Sequence, residues 1–171
     1  MKQAAILMAG SAALMLAACG SETSGEFETA DGKNAEYTID KETGETSMTI
    51  EGEDGEATLR AGANVPVSLP AGFTLFPGSK VVNNAVVNQP DGQGTMITFE
   101  AAASPDKVVA HYRDAAKAAG FDIQLEMNTN GTQMVAGERK ADSATISVTA
   151  SPGEGGGAST GQIIIATKKG G

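Results

Sequence analysis

Four groups of side chains in this chain of 171 residues have types and spacings that could do chemistry. The first is Ser104-Pro-Asp-Lys107. In a Ser-x-x-Lys arrangement a Ser at a helix start is activated by a Lys base, one turn on. Its usual companions, Ser-Asp-Asn and Lys-Thr-Gly, are absent, and a Ser that opens a helix accounts for the same residues. The second is His111, the single histidine. A metal site needs three or four ligands, and no second imidazole exists to join it, so a boundary position on a helix is the better reading. The third is "EGEDGE", Glu51 to Glu56, whose clustered carboxylates could hold calcium. Their spacing departs from the Asp-x-Asx-x-Asx-Gly pattern of a calcium loop, and a solvated hairpin tip is expected. The fourth is Cys19, the lone thiol, which has no partner for an internal disulfide and no nearby imidazole to activate it.

Two glycine signals also fail their context. Gly153 to Gly157 do not join a strand to a helix, as a phosphate cradle requires. Asn130-Gly-Thr132 matches a glycosylation sequon by pattern alone. No catalytic, cofactor-binding or metal-binding residue is therefore assigned, no cofactor is implied, and the chain is read as non-enzymatic.

Cys19 is explained by what precedes it. Lys2 is followed by an apolar run from Ala4 to Leu16, which is too short to span a bilayer but suits an export signal. Leu16-Ala17-Ala18-Cys19 resembles the lipobox of bacterial lipoproteins. That resemblance implies cleavage before Cys19, diacylglycerol on its sulfur and acylation of the new amino terminus. Two or three acyl chains, at about 0.8 kcal/mol per buried methylene, hold a protein to a membrane durably. Gly20 stands where inner-membrane lipoproteins carry Asp. The resemblance thus implies a lipid-anchored envelope protein, on the outer membrane and facing the periplasm.

Composition narrows the partners. The chain carries 12 basic and 21 acidic side chains. Removing residues 1–18 takes away only Lys2, leaving a charge of about −10, the wrong sign for nucleic acid, whose phosphates are met by Lys and Arg. Trp is absent and aromatics are few, which disfavours a stacking platform.

The elements that would position these groups divide the chain into four. Residues 1–18 are the signal, and 19–34, rich in Gly, Ser, Thr and Glu, are expected to be a flexible tether. Residues 35–61 contain Tyr37-Thr-Ile-Asp40, Met48-Thr-Ile-Glu51 and Ala57-Thr-Leu-Arg60. Their alternation predicts a three-strand β-meander with Tyr37, Ile39, Met48, Ile50, Ala57 and Leu59 on one face. Three strands alone are marginal, so that face should lie against the main body or a partner. Residues 62–171 read as a hairpin across Asp91-Gly92, a helix from Pro105 to Gly120, and four further strands. Phe121, Ile123, Leu125 and Met127 are expected to alternate cleanly, and Ile163 to Ala166 to be more fully buried.

"LFPGSK" joined to "SPDKVVAHYRDAAKAAGF", Leu75 to Phe121, is similar to a module of small exported bacterial lipoproteins. That resemblance implies a fold and no chemistry. The expected class is α+β, an antiparallel sheet with one helix packed on one face, preceded by the meander. The expected role is a non-enzymatic binding or structural one, with the membrane as partner through Cys19 and an envelope protein as partner through the meander. The alternative is a small-ligand or lipid carrier with its pocket between helix and sheet.

Overall fold

A computed structural model describes residues 21–153 and 157–168. It corrects the expected α+β class. The described residues build one ten-stranded antiparallel sheet, and the meander is part of it, not a separate unit in front of it. In chain order the strands are β1 (Glu22–Glu28), β2 (Asn34–Asp40), β3 (Thr46–Gly52), β4 (Gly55–Gly62), β5 (Lys80–Gln89) and β6 (Gly92–Ala101). The helix α1 (Pro105–Ala118) follows, then β7 (Asp122–Thr129), β8 (Thr132–Arg139), β9 (Ala144–Pro152) and β10 (Ser159–Lys168). Strands β1 to β6 run in sequence order across the sheet. After α1 the chain starts again at the far edge and returns inward, so that β10 pairs with β6, Ile163 opposite Ile97.

Two pairings of this arrangement run across the expected boundaries. Within the stretch expected as a tether, Glu22–Glu28 pairs along its whole length with β2, Phe27 opposite Ala35. And β4 continues directly into β5 by pairing, Leu59 opposite Val87, across a connector of residues 63–79. Neither is written in local composition. A polar strand such as "ETSGEFE" is held by its neighbour's backbone, not by its own propensity.

The core lies on one face of the β6 to β10 half. From the sheet it takes Ile97, Phe99, Val135, Ile146, Val148, Ile163 and Ile165, and from α1 it takes Val108, Val109, Tyr112 and Ala116. Pro105 at the first helical turn and Asp106 beside it start α1. Ser104 sits at the N-cap position, but its hydroxyl makes no capping bond to the backbone. Gly120 (φ 84°) ends the helix: its N–H meets the Lys117 carbonyl at 3.1 Å, and the Phe121 N–H meets Ala116 at 2.9 Å. The connector closes the rest of this face with Val65, Phe73 and Leu75. The buried Asn84 on β5 pins it, donating to the carbonyls of Val65 (3.3 Å) and Pro66 (2.9 Å).

Two strands depart from simple alternation. In β7 a bulge between Ile123 and Leu125 reverses the pattern: Ile123 packs on the core, whereas Leu125 and Met127 face outward and are exposed. In β10, Ile163 and Ile165 are buried, but Ile164 between them points to the other face.

Candidate functional site

The chemistry-bearing residues of the sequence do not converge. Ser104 and Lys107 are joined by backbone, the Lys107 N–H to the Ser104 carbonyl at 3.1 Å. The neighbouring Ser104 hydroxyl is the main cause holding the Asp106 carboxyl below its ordinary value. His111 packs edge-on against Phe76, ring centroids 5.4 Å apart, with Nε2 3.4 Å from the Thr74 carbonyl. Glu51, Glu53, Asp54 and Glu56 surround the exposed β3–β4 turn, and among the described residues no three His, Cys, Asp or Glu side chains gather as a metal centre. Asn130-Gly131 forms the β7–β8 turn. Cys19 lies outside the described residues, as do residues 154–156 of the glycine-rich stretch. Among the described residues no helix is long and apolar enough to cross a membrane.

The space between helix and sheet is occupied by the protein itself. Phe99 and Tyr112 are both fully buried there with ring centroids 5.9 Å apart, and the Tyr112 hydroxyl accepts the Phe76 N–H at 2.9 Å. Burial raises the Tyr112 phenol above its ordinary value, and the Phe76 bond only partly offsets that. The pocket expected between helix and sheet is filled by core.

The opposite face is different. One residue from each strand makes a continuous transverse row: Leu125, Ala136, Ser147, Ile164, Met96, Ala85, Ala61, Thr46, Ile39 and Thr23. None of the ten is charged. The neighbouring row carries Val87, Leu59, Met48 and Tyr37 in register. Among the described residues no helix lies over this face, because α1 packs on the other side of β7 to β10. The apolar residues of the meander sit here as well, so they do not lie on the main body's core.

The two faces of β1 to β4 differ sharply. On the apolar side stand Phe27, Tyr37, Ile39, Met48, Ile50 and Leu59. The other side carries Glu22, Glu26, Glu28, Glu36, Asp40, Glu51 and Glu56 against the single Arg60. Phe27 and Ile39 are 44% and 38% exposed. A Cβ on Gly25 would collide with the Tyr37 ring at 2.7 Å, so the tyrosine lies flat along the sheet over a bare stretch of β1. Where the face meets the β3–β4 turn, an open groove of about 400 Å³ is lined by Ile50, Ala57 and Pro90, with Lys33 and Asp54 at its rim.

Sequence reasoning found the apolar residues of the meander but missed that Met96, Ile164, Leu125 and Met127 extend the same surface. The available signal was alternation: Ile164 sits between core Ile163 and Ile165, and Met96 between buried Thr95 and core Ile97. No curated protein and no solved structure gives a significant match to this chain. A family model described as START domain-like matches residues 81–161, from β5 through α1 into β10, which is just under half of the chain.

Proposed function

We propose that this protein is a non-enzymatic, lipid-anchored binding module of the cell envelope that takes an apolar, lipid-like ligand on the helix-free face of its sheet. The uncharged row that crosses all ten strands carries the reading. Ile39, Ile164 and Leu125 are exposed along this row, between partly buried Ala, Met, Ser and Thr residues. Exposed apolar residues grouped on one uncharged surface mark a binding site more often than scattered ones do. The START domain-like resemblance points toward a ligand- or lipid-binding domain and so supports the same class. The lipobox residues Leu16 to Cys19 support the anchor and the envelope placement. Apolar burial is non-directional and needs neither metal nor nucleophile, which fits a surface without convergent polar groups.

The test uses a soluble Cys19→Ser form purified from its producing cells and measured by native mass spectrometry. Apolar adducts are expected, and Met96→Lys, a charge placed mid-row, should strip them. Bare protein in both spectra contradicts the ligand reading. For the anchor, radioactive palmitate should label the wild-type chain and not the Cys19→Ser form.

A further inference from the structure

We propose that the partner of the β1–β4 apolar face is the lipid bilayer itself, and that the anchored protein lies with these strands flat on it. The proposal rests on the anchoring reading and deepens it by naming what the face meets first.

Chain length carries the first step. Only Gly20 and Ser21 separate Cys19 from β1. Three residue steps of at most about 3.6 Å each keep the first residue of the sheet within roughly 11 Å of the lipidated residue. Ser21 is itself fixed, since its carbonyl accepts the Lys41 N–H at 2.7 Å. The edge of the sheet is therefore held at the membrane surface and cannot stand off on a leash.

Charge decides which way the sheet then turns. Within the strands β1 to β4 seven carboxylates lie on one side and none on the other. On the apolar side acid enters only at the β3–β4 turn end, where Asp54 and Asp91 line the groove with Lys33. Laying the acidic side on an anionic bilayer would cost both desolvation and repulsion. Laying the apolar side down places those carboxylates in water, across the thickness of the sheet. At physiological salt, exposed charges a Debye length of about 8 Å apart are already largely screened. Phe27 and Ile39 are the exposed large apolar residues of β1 and β2, the strands closest in sequence and pairing to the anchor, with Ile39 opposite Thr23 at the anchored end. Amphipathic helices settle about 5–10 Å into the headgroup boundary, and the apolar face of a sheet meets the same boundary with the same side-chain chemistry.

The chain contains no Trp and a single Cys, which makes the experiment clean. The described fold begins at Ser21, so a chain starting at Cys19 keeps every strand. Its thiol is coupled to a maleimide phospholipid in phosphatidylcholine vesicles that contain acyl-brominated lipid. Ile39→Trp and Phe27→Trp place the only indole on the apolar side, and Thr38→Trp places it on the acidic side. Bromine should quench the first two severalfold more than the third. Equal quenching at all three, or none at any, overturns the proposal. So does an Ile39→Trp indole shielded from both bromolipid and aqueous acrylamide in a protein that sediments as a dimer, because a second copy then covers the face. Two apolar-side variants guard against one of them misfolding. Since the anchor is supplied chemically, absence of palmitate labelling in cells would remove the lipoprotein reading without deciding this result.

Discussion

Phe99 and Tyr37 do the same local job on opposite faces of one sheet. Each ring lies over a glycine on the neighbouring strand, Phe99 over Gly161 and Tyr37 over Gly25. Phe99 is then sealed by Tyr112 from the helix. Tyr37 has only the tilted ring of Phe27 beside it, 6.4 Å away between centroids, and stays partly exposed. Both halves of the sheet follow the same backbone rules. What differs is whether another element closes over the side chains, and the closed face became the core while the open one kept its apolar residues in reach of water. An open face gains only cross-strand packing of about 0.2–1 kcal/mol per pair, whereas the closed face gains the full burial of its side chains.

The largest effect should come from truncating the two rings. Phe99→Ala leaves a cavity under α1 and should lower the unfolding free energy by about 3–5 kcal/mol. Tyr37→Ala removes contacts that are already partly solvated and should cost clearly less in the same urea titration. Equal losses would mean that the helix-free face is part of the core, and the contrast between the faces would be broken.

The glycines sharpen the contrast at a smaller scale. A methyl at Gly161 meets a Phe99 ring with no free space to move into, so Gly161→Ala should destabilise by about 1–3 kcal/mol. At Gly25 the same methyl pushes a Tyr37 ring that can swing toward solvent, and the loss of stability should be clearly smaller. The two thermal midpoints, measured side by side, settle it. A Gly25→Ala loss as large as that of Gly161→Ala would show Tyr37 to be locked in place.

Much of this contrast is legible in the residues. The Tyr37, Met48 and Leu59 pattern assigns the meander's apolar face, and Pro105, Asp106 and Gly120 bracket the helix. Three parts are not legible, each for a physical reason. Strand β1 has almost no apolar pattern and exists by pairing with β2. The β4–β5 junction joins segments separated by residues 63–79, and backbone pairing at that range leaves no mark on composition. The bulge at β7 reverses which side Leu125 and Met127 face, and alternation alone assigns them to the wrong side.

The smallest effect concerns how firmly the closed side is fastened at its rim. Arg139 on β8 donates to both carboxylate oxygens of Asp142, at 3.0 and 2.8 Å, and a third nitrogen reaches the Ala119 carbonyl at the helix end at 3.1 Å. Its guanidinium also lies 4.8 Å over the Phe121 ring. The hydrogen bonds from Arg139 hold the Asp142 carboxyl below its ordinary value of 3.8. A carboxyl whose folded value is depressed stabilises the fold fully above its unfolded value and loses that contribution as pH falls through the folded one. The thermal midpoint of the wild type should therefore exceed that of Asp142→Asn by a small, constant margin from neutral pH down to about pH 5. Below the ordinary value the margin should close as the carboxyl takes up its proton. The open face has no counterpart to this clasp in its two central rows, which carry no charge from β2 to β6. Charge-neutral substitutions there, such as Met48→Leu, should leave the pH dependence of the midpoint unchanged. A margin between wild type and Asp142→Asn that ignores pH would detach the clasp from the ionised carboxylate and leave only its packing on Phe121.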